Sequence, residues 1–281
     1  MLETIVGGWR KLALLHFPTN GFLTDRIVSS VRKIAGRGPA KLIVTVSLDG
    51  DEALNDEVRG IKGGYRRQIE TFKALRQMPD VVAALGMTLS TYNIGRFDET
   101  FAAVARDVPG LQPSDLHLNV AQVSSHYYGN DGPDSAAPDR MRAREEMRAY
   151  RSRLAAPRSP QQLIERAYLK HLDRFLLTGT TPMPCHALRS SCFIDPWGTV
   201  YPCITYSRPI GRLRETGMRL DPIWNGDTAV AVQREIWDGQ CPQCWTACEA
   251  YQSILGNALA FRRRVPLIPA AGDHATTEPA R

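Results

Sequence analysis

Six cysteines fall in the last third of the chain, at Cys185, Cys192, Cys203, Cys241, Cys244 and Cys248, and the first 184 residues hold none. A local triplet, Cys241-Pro-Gln-Cys244-Trp-Thr-Ala-Cys248, answers a more distant set. An iron-sulfur cluster needs such a pattern, because each iron takes one outside sulfur. Four thiolates converging from two segments would equally hold a tetrahedral zinc, and ligand type alone does not separate the two. Six cysteines rather than four, interleaved with Phe193, Trp197, Tyr201 and Trp245, favour a cluster, since aromatic cover limits solvent access and helps set a redox potential. A further reading leaves two of the six as small buried side chains.

Local elements must bring these thiols together. Cys192-Phe-Ile-Asp-Pro-Trp-Gly-Thr-Val-Tyr-Pro-Cys203 predicts a β-hairpin with Asp195-Pro-Trp-Gly198 as its turn and Gly198 free to take a positive φ. Such a hairpin returns Cys203 to the neighbourhood of Cys192, and Cys185 lies seven residues before it. The stretch Ile223 to Trp237 reads as helix, and a compact knuckle carrying the last three cysteines follows.

The chain ahead of the cysteines alternates strand and helix. Lys11 to Gly21 is a short apolar run ending in a polar turn, followed by a helix over Thr24–Ala35. Lys41 to Gly50 is rich in β-branched residues and stops at a glycine-bearing turn. A helix from Tyr65 to Gln77 has Ile69, Phe72 and Leu75 at helical spacing. Val82–Ser90 then predicts a strand, Phe97–Arg106 a helix and Leu116–Ala121 a fourth strand. This alternation predicts a parallel sheet covered by helices, with ligand-contacting residues at the strand carboxyl ends. Four such units make either an open α/β sheet or part of a barrel. Ser124 to Pro138 is a loop rich in Ser, Gly, Asn, Asp and Pro, whose Tyr127 and Tyr128 either line a substrate mouth or pack the loop down. Helices over Met141–Leu154 and Pro160–Leu177 lead to the cysteines.

With 281 residues, of which 43% are hydrophobic, the chain has enough apolar material for a real core. No run is apolar enough to span a membrane and no signal peptide opens the chain, which places it in the cytoplasm, where clustered cysteines bind metals rather than form disulfides. The net charge of +6 is spread along the chain and carried by twenty-nine arginines against six lysines. Scattered charge of this kind argues against a nucleic-acid partner, which needs a local patch.

In their order, these motifs resemble a radical S-adenosylmethionine (SAM) protein of the SPASM or twitch type that begins partway into the family's barrel. Thr19-Asn20-Gly21 resembles the end of the third strand. Ser47-Leu-Asp-Gly50, with Asn55-Asp56 and Arg59-Gly60, resembles the fourth strand and the loop after it. Cys185 and then Gly198-Thr-Val-Tyr-Pro-Cys203 fit the family's auxiliary-cluster signature, followed by Ile210-Gly-Arg-Leu-Arg-Glu215, Ile223-Trp224 and the knuckle. The resemblance implies an α/β fold, a partial (β/α) radical SAM-type barrel over 1–137, a helical bridge over 138–180, a small cysteine-rich α+β SPASM/twitch domain over 181–261 and a disordered tail over 262–281. It implies one auxiliary [4Fe-4S] cluster on Cys185, Cys192, Cys203 and Cys248, with Cys244 as an alternative to Cys192 and with Cys241 outside the set. Ser47 would lie beside SAM and Arg59 would face its carboxylate. The family's cysteine triplet, which holds the SAM-cleaving cluster, has no counterpart here, and Gly7-Gly8 lacks the acid that follows the family's glycines. The expectation is a chain truncated before that motif, unable to cleave SAM alone, in a family whose commonest task is modifying a peptide or protein. Ile204 after Cys203, where sulfatase-maturing relatives carry an aspartate base, argues against that subgroup. The alternative is a non-catalytic binding module or scaffold with a structural iron-sulfur or zinc site.

Overall fold

Apolar and β-branched runs form four parallel strands, β1 (Leu14–Thr19), β2 (Lys41–Ser47), β3 (Val81–Leu89) and β4 (Leu116–Val120), hydrogen-bonded in the order β1-β2-β3-β4. The computed structural model describes residues 12–36, 41–133 and 135–263, without the side chains of 260–263. Gly7-Gly8 and the expected tail beyond 263 lie outside the described residues. Two compact units emerge, one from the chain up to Val123 with Pro133–Pro157, the other from Ser124–Gly132 with the chain from Arg158 onward.

The strands of the first unit are joined by α1 (Thr24–Ala35), by α2 (Glu52–Arg59) with α3 (Gly64–Arg76), and by α4 (Phe97–Asp107). Sequential parallel order without reversal is that of successive βα units wound in one direction, as in an arc of a barrel. β2 alternates in burial, with Leu42, Val44 and Val46 in the core beside Leu85, Met87, Leu116 and Leu118. α3 rests on β2 and β3, and Ile69, Phe72 and Leu75 are buried. The opposite sheet face is less covered: Leu14 and Val82 are exposed, and Ile43, Thr45, Ser47 and His117 are half-buried. There His16 Nε2 and Thr45 Oγ1 lie 2.8 Å apart.

β2 stops at Ser47, three residues short of the expected strand end, because Asp51 turns the chain into α2 and accepts a hydrogen bond from Leu54 N. α2 itself is a helix where only a loop was expected. α5 (Arg140–Arg153), capped by Asp139, belongs to the first unit, whereas α6 (Pro160–Thr178), capped by Ser159, belongs to the second.

The second unit is built of short pieces. β5 (Phe193–Ile194), β6 (Thr199–Tyr201) and β7 (Gly211–Arg212) form an antiparallel sheet in that order. Gly198 in the β5–β6 turn takes φ 86°, as its sequence predicts. The expected helix over Ile223–Trp237 is two helices, α7 (Asp221–Trp224) and α8 (Asp227–Trp237), because the chain turns extended at Gly226 to begin α8. After the knuckle, α9 (Ala247–Arg263) packs on α6. Val200, Cys203, Ile210, Ile223, Val232 and Ile236 form the heart of this unit's apolar cluster. No helix among the described residues is long and apolar enough to cross a membrane.

Candidate metal centre

The three cysteine-bearing segments are each held by backbone geometry that a loop alone would not keep. Between Cys185 and Cys192 the His186 carbonyl accepts from the amides of Arg189 and Ser190, and Leu188 sits at φ 60°. Cys192 and Cys203 flank the β5–β6 hairpin, where Phe193 pairs with Tyr201. The knuckle is closed by Gln243, at φ 60°, whose Nε2 donates to Gly239 O at 3.0 Å and whose Oε1 accepts from Thr181 N at 2.9 Å. Trp245, 2% exposed, fixes it from below by donating from Nε1 to Tyr168 O at 3.0 Å.

All six cysteines are free thiols. Burial pushes Cys185 up and raises Cys244 to about 12. Burial also raises Cys192, Cys203 and Cys248. Several thiols feel one another: Cys185 senses Cys244 and Cys203, and Cys203 acts on both Cys244 and Cys248. Hydrogen-bond donors reach five of them, Cys248 through its own backbone amide. Ala187 N donates to Cys185 Sγ at 3.5 Å and Tyr206 N to Cys203 Sγ at 3.3 Å. The Thr205 hydroxyl lies 3.2 Å from Cys203 Sγ and also bonds Cys244, which takes a backbone bond from Thr246 as well. Cys192 has only burial and the Glu249 charge acting on it. Cys241 receives Gln243 Nε2 at 3.5 Å and stands by Tyr206. Cys248 is the exposed member of the set.

Among the described residues, no three His, Cys, Asp or Glu side chains converge as ligands of a single ion do. A lone zinc needs four donors about 2.3 Å from one point when they are thiolates. In a cluster each iron takes its own outside sulfur instead. Residues 185–245 match the SPASM family, an iron-sulfur cluster-binding domain. The match spans Cys185, Cys192, Cys203, Cys241 and Cys244 and ends before Cys248. No curated protein matches the chain. The donor set of the SPASM domain fits the group its family binds: free thiols, Cys203 buried and Cys185, Cys192, Cys241 and Cys244 half-buried, with amide and hydroxyl donors that stabilise thiolates once a metal removes their protons.

The cover of this centre differs from the expected one. Trp197 is 73% exposed at the hairpin tip and shields nothing, while Trp245 anchors the knuckle. Phe193 and Tyr201 are half-buried, and the loop residues Ser124–Gly132 pack on them. His126 stacks on Tyr201 with ring centroids 4.2 Å apart, and its Nε2 lies 3.1 Å from Cys203 O. Tyr127 meets Phe193 edge-on at 5.0 Å. Tyr128, raised to about 12 by burial first and by Tyr127 and then Cys248 and Cys244 after it, is within electrostatic reach of the thiols. The aromatic pair Tyr127-Tyr128 was legible in the sequence, but its address was not.

In the first unit, Ser47 ends β2, half-buried, its carbonyl accepting from Gln68 Nε2 at 2.6 Å. Gln68 Oε1 accepts from Asn55 Nδ2 at 2.7 Å, and Asn55 Oδ1 accepts from Asp49 N at 2.9 Å. Asp49 Oδ2 in turn pairs with Arg59 Nη2 at 2.6 Å. One buried polar network thus joins both residues at the carboxyl ends of the strands, and Arg59 enters it already paired to Asp49. Asn55, already part of the motif after Ser47, is joined by Gln68 and Asn93, all fully buried; pattern reading missed the last two, because one polar residue inside a helix and one in a turn leave no periodic signal.

Proposed function

We propose that this chain is an iron-sulfur protein of the radical SAM type, with one auxiliary four-iron cluster in its SPASM domain and a family role in radical-based modification of a peptide or protein. The observation that carries this reading is the order of parts: four parallel strands in sequence, then the match at 185–245. The irons fall to Cys185, Cys203 and Cys248 together with either Cys192 or Cys244; Cys203 and Cys244 are the thiols best supplied with hydrogen-bond donors. Cys241 stays outside the set. When bound, such a cluster supplies an electron acceptor or a substrate anchor. Ser47 and the Asp49–Arg59 pair are the residues offered to a bound SAM. With no cysteine before Cys185, the chain by itself lacks the thiols to cleave SAM.

Anaerobic reconstitution with iron and sulfide tests the cluster: four irons and four sulfides per chain with a cluster electron paramagnetic resonance (EPR) signal on reduction are expected, and one equivalent of zinc alone would refute it. A second reading, a binding module that holds a partner without chemistry, gains from the prior engagement of Arg59 by Asp49. Calorimetry with SAM separates the two: heat that is lost in Ser47→Ala supports the first, and no heat at all supports the second.

A further inference from the structure

Ser124–Gly132 packs with the second unit, although Pro133–Pro157, next in the chain, belongs to the first. The loop's hold on that unit runs through His126. Its Nε2 lies 3.1 Å from Cys203 O, and a carbonyl only accepts, so this nitrogen carries a proton. On the other side of the ring, Nδ1 lies 2.8 Å from Ser207 Oγ and 3.2 Å from Ser124 Oγ. Ser125 Oγ donates to Ser207 Oγ at 2.6 Å, which leaves the Ser207 proton for Nδ1. The bonds therefore run in one direction, from Ser125 through Ser207 and the imidazole to the Cys203 carbonyl. Two of these three end on Ser207. The ring also stacks on Tyr201, with centroids 4.2 Å apart, and meets Phe193 edge-on at 5.6 Å. Within the loop, Ser124 N donates to Asn130 Oδ1 at 2.9 Å and Tyr127 N to Ser124 Oγ at 3.2 Å, so the loop holds its own shape. Every anchor it grips lies on the hairpin that Cys192 and Cys203 flank, or within the segment just after it.

We propose that His126 is a positioning residue of the metal centre: it fastens the Ser124–Gly132 loop over the β5–β6 base, fixes the Cys203 backbone through its carbonyl, and so limits the water that reaches the bound cluster. This rests on the cluster reading above. Reduction adds a negative charge to a body already ringed by thiolates, and water solvates that charge better than aromatic rings do. Admitting water therefore raises the reduction potential, since solvent exposure is one of the terms that set it. The same opening gives oxygen a path to the irons.

The test uses the full chain, reconstituted anaerobically, with iron and sulfide analysis, a midpoint potential and the rate of bleaching in air. His126→Phe keeps a ring on Tyr201 and removes the hydrogen bonds at both nitrogens. Ser207→Ala, at an exposed position, removes two anchors and leaves the ring in place. Both variants are expected to bind as much iron as the wild type, at a higher midpoint potential, and to bleach about fivefold faster. An unshifted potential in either variant at full iron content overturns the proposal and leaves the cluster reading intact. If His126→Phe does not fold, Ser207→Ala decides alone by the same criterion. A wild type that takes up no iron and sulfide sinks both.

Discussion

A thiol at Cys244, raised to about 12 by burial, holds its proton at neutral pH until a metal displaces it. What distinguishes a ligand from a buried bystander is then the set of donors waiting for the thiolate. Cys203 has the Thr205 hydroxyl and Tyr206 N, whereas Cys241 has only a side-chain amide at 3.5 Å. Cys203→Ser is accordingly expected to retain less than a quarter of the wild-type iron after desalting, and Cys241→Ser to retain nearly all of it, read by iron analysis and visible absorbance. Equal retention would place both outside the ligand set or both within it. The six cysteines were legible in sequence because their types and spacing carry the signal. The choice among them was not, since it depends on amides and on Thr205 approaching from other segments.

At the scale of elements, the junction of α2 and α3 is set by Asp56, which accepts from Gly63 N and from Tyr65 N, the latter at 2.8 Å. Burial pushes this carboxyl up, but the backbone donors Tyr65 and Gly63 outweigh it and hold the group below its usual 3.8. A depressed carboxyl stabilises the fold above its unfolded pKa and loses that contribution as pH falls through the folded value. Asp56→Ala should therefore cost about 1 kcal/mol at pH 7, with the gap to wild type closing below pH 3.8, as urea titrations at several pH values would reveal. β3 offers a sharper case. A Cβ on Gly86 would lie 2.6 Å from Thr45 Cγ2, so Gly86→Ala should destabilise by about 1–3 kcal/mol. Adding Thr45→Ser removes that methyl and keeps the hydroxyl beside His16, so most of the loss should return in the double variant; additive losses would show that the clash is not the cause. The strands β2, β3 and β4 could be read to within a few residues because β-branched, apolar runs leave little alternative. α2 was hidden by its polar composition, its only fully buried residue being Asn55, and the start of α9 by Cys248, which belongs both to the cysteine knuckle and to the first turn of the helix.

The whole molecule joins two units that reach stability by different means. The first has a four-stranded sheet with a continuous apolar layer from Leu42 to Leu118. The second has strands of two or three residues and a cluster of mostly small and medium side chains such as Ala187, Val200 and Ala229. Small elements of this kind lean on a cross-link, and a group that binds only the folded state adds its binding free energy to that state. Iron loading should therefore protect the second unit and leave the first unchanged. Hydrogen exchange followed by mass spectrometry gives the reading: on chelation, peptides covering 185–204 and 241–250 are expected to exchange at least tenfold faster, while β2 and β3 keep their wild-type rates. Tenfold in an opening constant is about 1.4 kcal/mol, a modest share of what a bound metal contributes to a small domain. If β2 and β3 sped up equally, the two units would share one cooperative transition, and the distinction between a self-sufficient sheet and a metal-dependent domain would fail.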